Sequence, residues 1–256
     1  MPHPKRLKNV TDIKWCIEYL KKYNEIDTLP NMMDEALFRA LQNITMPYEL
    51  SEEFYKRQDN VLKDILSRKE ITDVSFFADG ITLYKGDITL LKADAIVNAC
   101  NNKMLGCFVP GHHCIDNAIH SFAGLQVRRD MMKIMAAQGH DEPNGDCKVT
   151  SAYNLPGKYI FHTVGPIYSG KKQDEVDLAS CYRSCLKKAD EMGLKSIVFC
   201  CLSTGVFGYP IEEATTIAIR TVKEYLNTQN THVKKVVFNV FTERDYEIYQ
   251  RLLERD

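Results

Sequence analysis

A change of period near Ile71 constrains this chain more than any other feature. Before it, DIKWCIEYLKKYN, MMDEALFRALQNI and SEEFYKRQDNVLKDILSRKE place apolar residues at helical spacing, which predicts a helical extension over residues 1–70. Pro30 and Pro47 separate the helices, and Ser51 ahead of Glu52 and Glu53 reads as a helix start. No chemistry is visible in this part. After it come β-branched runs, ITLYKG, DAIVNA, KVTSAY, YIFHTVG, KSIVFCC and KKVVFNVF, which read as strands. Helical stretches lie between or after them: CIDNAIHSFAGLQVRRDMMKIM, EVDLASCYRSCLKKADEM, IEEATTIAIRTVKEYL and ERDYEIYQRLLE. Apolar strands interleaved with helices predict an α/β unit over residues 71–256, with a mixed, largely parallel sheet covered on both faces. Ligands of such sheets sit outside the carboxyl ends of the strands, so the residues just after each strand carry the information.

The 256 residues are 45% hydrophobic and 26% charged, with a formal net charge of −1. That balance supplies no global field to draw in nucleic acid or an anionic membrane. An anionic ligand must then be held by local geometry, such as backbone amides and helix N-termini. The opening MPHPKRLKNVTDIKW lacks the apolar stretch of a signal peptide, and no apolar run of about 18 residues occurs. Nine cysteines in such a chain fit free thiols in a cytoplasmic protein rather than a disulfide framework. Most of them, Cys200 and Cys201 included, read as small core residues.

Four strand-end segments stand out. Gly86-Asp87-Ile88-Thr89 places a carboxylate where it can cap a following helix. In Asn98-Ala99-Cys100-Asn101-Asn102 the amides can satisfy a turn or meet a sugar's hydroxyls. Ser203-Thr204-Gly205-Val206-Phe207-Gly208-Tyr209-Pro210 is a Gly-containing strand-to-helix turn whose N–H groups can cradle phosphate oxygens. It lacks the lysine and spacing of a triphosphate-binding loop, which points to a diphosphate. Between these lies Cys107, His112 and Cys114, on a loop containing Gly and Pro that leads into a helix. Thiolate and imidazole are zinc ligands, and three rather than four suits a site with an open position. An accidental cluster in a cysteine-rich chain is the alternative, His113 is the alternative histidine, and His120 reads as a satisfied packing residue.

In combination GDIT, DAIVNACNN, the CIDNAIHSFAG helix start and STGVFGYP, with HTVGP from His162 to Pro166, resemble the macrodomain family from about Ile71 onward. The loop GCFVPGHHCIDNAIH resembles the zinc-containing, mainly microbial subclass of macrodomain ADP-ribosyl hydrolases, which also carries a helical N-terminal extension. The resemblance implies a three-layer α/β/α fold and ADP-ribose as ligand. It implies that Asp87 accepts from the adenine amino group with Ile88 close by, and that Phe241 stacks on the adenine. The backbone of Ser203, Thr204, Gly205, Val206 and Phe207 would hold the diphosphate, and Asn101 would contact the distal ribose. Asp116, together with Asn101, stands at the catalytic position, where it orients ribose or water; its bland reading is a helix cap. Cys107, His112 and Cys114 would hold one Zn2+.

The activity implied is zinc-dependent hydrolysis of mono-ADP-ribose from a protein side chain, through an O-glycosidic bond. Three rivals stand beside it. A reader module would bind ADP-ribose without cleaving it and would need neither Asp116 nor the metal ligands. An O-acetyl-ADP-ribose deacetylase would act on a free metabolite. A nucleic-acid binder is disfavoured by the charge balance.

Overall fold

The computed structural model describes residues 8–229 and 232–255. The first seven positions of the leader reading, and the outer limits of the two expected units at residues 1 and 256, lie outside the described residues. Three helices come first, α1 (Val10–Tyr23), α2 (Asp34–Ile44) and α3 (Glu52–Ser67). Ser51 caps α3 as the sequence predicts, its Oγ accepting from the Phe54 N–H at 3.1 Å. The helices bury Leu20, Phe38, Phe54 and Val61 against one another in a cluster that Leu125 joins from farther along the chain.

The rest follows in the order β1 (Thr72–Asp73), β2 (Gly80–Lys85), β3 (Leu91–Lys92), β4 (Ala95–Ala99), α4 (Ile115–Ala123), α5 (Leu125–Gln138), β5 (Cys147–Ser151), β6 (Tyr159–Thr163), α6 (Lys172–Glu191), β7 (Ser196–Phe199), α7 (Ile211–Thr228), β8 (Lys235–Val240) and α8 (Glu243–Leu253). The main sheet runs β2-β8-β7-β4-β6-β5. Every neighbouring pair is parallel except β5 on β6. The expected α/β sheet, mixed and largely parallel, is therefore present. Its central strands are near-continuous apolar runs, with Val97, Phe161, Val198, Phe199, Val236 and Phe238 all buried, as strands covered on both faces require. From β4 the chain crosses to β6 on one side, and from β7 to β8 on the other. The crevice between the ends of β4 and β7 is thus the switch point at which such sheets bind ligands.

Two details differ from the sequence reading. The stretch CIDNAIHSFAGLQVRRDMMKIM is two helices, broken at Gly124 with φ of 104°. A Cβ there would lie 2.6 Å from Gln126 Oε1 and 2.7 Å from Gln58 Nε2, so the chain turns where only glycine fits. A small parallel pair, β1 with β3, joins Thr72 to Leu91 and Asp73 to Lys92; at two residues per strand it carries no readable period.

Arg128 of α5 ties the two parts of the chain together. Its Nη1 donates to the carbonyls of Gln42, Asn43 and Thr45 at 2.9, 2.9 and 2.6 Å. Those are carbonyls at the C-terminal end of α2, where i to i+4 bonding runs out; of the three, Gln42 O also accepts from Thr45 N at 3.3 Å. The side chain is 1% exposed, and burial pulls its pKa down to about 10, still a cation at neutral pH. Arg128→Met should therefore cost about 3–5 kcal/mol, because buried carbonyls lose a charged donor and gain none. Denaturant unfolding measures this, and a loss under about 1 kcal/mol would mean that solvent reaches those carbonyls.

Candidate active site

At the end of β7 the backbone bonds of the turn run from Gly208 N to Gly205 O and from Tyr209 N to Ser203 O. Among the described residues, no acceptor takes the N–H groups of Thr204, Gly205, Val206 or Phe207. Consecutive undonated N–H groups on a tight turn form a concave anion cradle. Ser203 enters this turn at φ of 63°, a conformation disfavoured for any residue with a Cβ. Its buried Oγ has no partner among the described residues. Across the crevice, a Cβ at Gly165 would come within 2.1 Å of that Oγ, so glycine in HTVGP is what makes room for the serine.

Asp87, after β2, caps a short turn: its Oδ1 accepts from Thr89 N at 2.9 Å and Thr89 Oγ1 at 2.6 Å. The capping reading is thus correct, and Oδ2 is left for another donor. Ile88 is 2% exposed within the core, so its backbone rather than its side chain is what it can offer a ligand. Phe241, just past β8, is 77% exposed. The ring is not part of the core, and a free aromatic face stands just past the carboxyl end of β8.

The third corner lies after β4. Asn101 serves its own turn, accepting from Lys103 N at 3.0 Å and donating to Gly106 O at 3.3 Å. Asn98 is fully buried and cannot reach a sugar. Its Nδ2 instead donates to Asp116 Oδ1 at 2.8 Å and lies 3.3 Å from His162 Nδ1. Asp116 is 5% exposed, and burial raises its pKa to about 6 against the opposing Asn98 bond and the charge of Arg128. The cap of α4 is Cys114, whose Sγ accepts from Asn117 N at 3.4 Å. Asp116 is therefore not the cap: it is the second residue of the helix, in its first turn, and its carboxylate accepts from Asn98 rather than from a helix N–H. His120 is buried as expected, with Nε2 3.5 Å from Asp116 Oδ1. It is not satisfied, since among the described residues neither ring nitrogen has a hydrogen-bond partner.

Cys107, His112 and Cys114 come together with their ligand atoms within 4.8 Å of one another, Cys107 Sγ lying 3.7 Å from His112 Nδ1. Of the two histidines, His112 is the one brought in, through a turn in which its N–H bonds Val109 O at 3.1 Å; His113 faces solvent. Two thiols and one imidazole on a half-buried loop fit a zinc ion by donor chemistry and spacing.

Sequence reasoning missed Arg39 and Asn43 of α2. Arg39 donates to His112 O at 3.1 Å and to Asn117 Oδ1 at 2.8 Å. Asn43 Oδ1 accepts from Gly111 N at 2.9 Å. These bonds span more than 65 positions, and a helical Arg or Asn carries no local signal of such a partner.

A mixed, largely parallel sheet flanked by helices defines the class of this molecule as an α/β protein. The Macro domain family matches residues 97–218. Over 242 residues the chain is 46% identical to a protein-ADP-ribose hydrolase of Staphylococcus aureus (strain MRSA252), covering 91% of this chain and 90% of that one. Over 255 residues it is 45% identical to a protein-ADP-ribose hydrolase of Treponema medium, covering 93% and 97% respectively. A crystal structure of a Trypanosoma brucei macrodomain in complex with ADP-ribose matches with a TM-score of 0.64 at 30% identity, covering 84% of this chain and 94% of that one. This chain belongs to the Macro domain family. No helix among the described residues is long and apolar enough to cross a membrane.

Proposed function

We propose that this chain is a protein mono-ADP-ribosyl hydrolase of the zinc-containing subclass, cleaving an O-glycosidic bond between the distal ribose and a protein side chain. What supports it is topology: the turn at Thr204–Phe207 follows β7, and the Cys107, His112, Cys114 set and Asp116 follow the adjacent parallel strand β4. A reader has use for the first and none for the other two. The relatives named protein-ADP-ribose hydrolase share the chain nearly end to end, which supports an enzyme over a reader or a deacetylase.

In this reading Asp87 Oδ2 accepts from the adenine amino group and Phe241 covers the ring. The cradle neutralises the diphosphate without a lysine, and Asn101 meets the distal ribose. Asp116, held by Asn98, has Oδ2 to orient a water or a ribose hydroxyl. Water adds at the anomeric carbon as the bond to the protein oxygen breaks; the water's proton ends on the departing oxygen, through an oxocarbenium-like state. Cys107, His112 and Cys114 would hold zinc, which supplies Lewis-acid charge when bound. The helices of residues 1–70 form an extension to this unit, and the chain works in the cytoplasm.

The test is release of free ADP-ribose from a mono-ADP-ribosylated protein, by the native chain and by Gly205→Glu. A Cβ at Gly205 meets no atom within 4 Å, so the glutamate leaves the fold intact while setting a carboxylate in the cradle. ADP-ribose affinity should fall about 100-fold or more, and hydrolysis at low substrate should fall with it. Native affinity by calorimetry would place the ligand elsewhere, and a native chain that binds but releases nothing would return the reader.

A further inference from the structure

The loop from Leu105 to Cys114 has no regular structure, yet its backbone is tethered at several points. On the His112 side, Gly111 N donates to Asn43 Oδ1, and His112 O accepts from Arg39 Nη2. The Arg39 fork also grips Asn117 Oδ1, at 3.1 and 2.8 Å. Asn117 in turn donates its Nδ2 to Val109 O at 2.9 Å and its backbone N–H to Cys114 Sγ. Asn43 also donates to Ser121 Oγ at 2.8 Å, fixing its amide orientation. On the Cys107 side, Arg128 Nε bonds Leu105 O at 2.7 Å, and its guanidinium lies 4.3 Å from the centre of the Phe108 ring. Arg128 is the same group that caps α2. The helical extension and the loop are thus two faces of one hydrogen-bonded unit.

We propose that α2 is a built part of the metal-ligating loop, and that Arg39 and Asn43 are positioning residues that hold Cys107, His112 and Cys114 in ligating register. This rests on the zinc reading given above. The physical reason is ordering: fixing the backbone of each loop residue costs about 1–2 kcal/mol. A loop already fixed by tethers does not draw that cost from metal binding. The Gly111 N–H is otherwise a lone donor at φ of 64°, and Asn43 supplies its acceptor. Arg39 adds a positive charge within electrostatic reach of Cys114, Asp87 and Cys107, where a set of two thiolates needs one.

The test uses the full chain as Arg39→Met and Asn43→Ala, with Arg57→Met as the control. Arg57 pairs with Asp12 and Glu53 and covers Trp15, so its loss loosens the three helices without touching the loop. Zinc affinity is read by competition with a chromophoric chelator, and ligand geometry by the absorption spectrum of the cobalt-substituted protein. Both α2 variants should bind zinc about 10-fold or more weakly and shift the cobalt spectrum, with ADP-ribose affinity near native. Arg57→Met should change neither. If the native chain holds zinc and the α2 variants match it in affinity and spectrum, the inference is wrong. It is equally wrong if Arg57→Met loosens zinc as much, since the helices would then act only through general stability. A native chain without zinc removes the reading beneath it instead. Should Arg39→Met fail to fold, Asn43→Ala carries the same comparison.

Discussion

Protein purified without chelator should contain about one zinc ion per chain, and Cys107→Ala should lose it together with hydrolysis while the sheet stays folded. The separation of metal from fold follows from where Cys107 sits. It is half-buried on an irregular loop and belongs to neither hydrophobic cluster, so removing its sulfur opens no core cavity. Its contact is with His112 Nδ1 at 3.7 Å, and the tethers from α2 and Arg128 attach to backbone atoms that the substitution leaves in place. Cys114 makes the sharper comparison, because its Sγ is both a candidate ligand and the cap of α4. Cys114→Ala should lose metal and also about 0.5–2 kcal/mol of stability, whereas Cys114→Ser retains a capping oxygen and isolates the metal term. Elemental analysis, circular dichroism and the hydrolysis assay read the three quantities separately. Absence of stoichiometric zinc in the native protein would reduce the cluster to a thiol–imidazole contact and remove the subclass assignment. Unfolding of Cys107→Ala would make the metal structural.

How much of this could be read from the chain follows the range of the interactions. The strands and most helices were legible because burial repeats along them: DAIVNA and KSIVFCC are buried on both faces, and helix α3 announces its start with Ser51. The break at Gly124 was not, because its φ of 104° and the crowding by Gln126 and Gln58 are set by the folded structure and leave no period in the sequence. The chemistry-bearing strand ends were legible as segments, since sheet topology alone sends them to one edge. Their details were not. His112 and His113 are equivalent as letters, and only the turn closed by Val109 O distinguishes them. Asn98 looked like one of several amides for a sugar, although a polar residue inside an apolar strand run is a signal for a buried partner, here Asp116. Arg39 and Asn43 gave no sign of a role, because a bond from a side chain to a distant backbone atom leaves no period in the sequence. Ser203 shows the same gap: its positive φ is a property of the turn, and serine is not the residue that marks one.

Turnover should drop by about 100-fold or more in Asp116→Asn, the scale of a positioned acid–base group, while ADP-ribose still binds and the protein is no less stable. The structure sharpens this expectation. Because Cys114 rather than Asp116 caps α4, the substitution costs no cap. The carboxylate is buried, and burial raises its pKa to about 6, so the native state holds this charge at a penalty that asparagine does not carry. The asparagine carbonyl can still accept from Asn98 Nδ2, which keeps the Asn98–His162–Thr150 chain of contacts in place. What the variant lacks is the charge and the second acceptor oxygen that would face water or ribose. Asp116→Ala removes the acceptor as well. It strands a buried amide hydrogen beside Cys100 Sγ, so it should lose the same turnover and also about 1–3 kcal/mol of stability. The pair thus separates chemistry from packing: equal loss of turnover with unequal loss of stability assigns the carboxylate to the reaction. If turnover instead tracks stability across the two variants, Asp116 is a buried strut for Asn98, and the group that orients water must be sought elsewhere along the crevice. Full hydrolysis in both would exclude it from catalysis altogether. The measurement is single-turnover release of ADP-ribose, normalised to folded protein, alongside denaturant unfolding of the same samples.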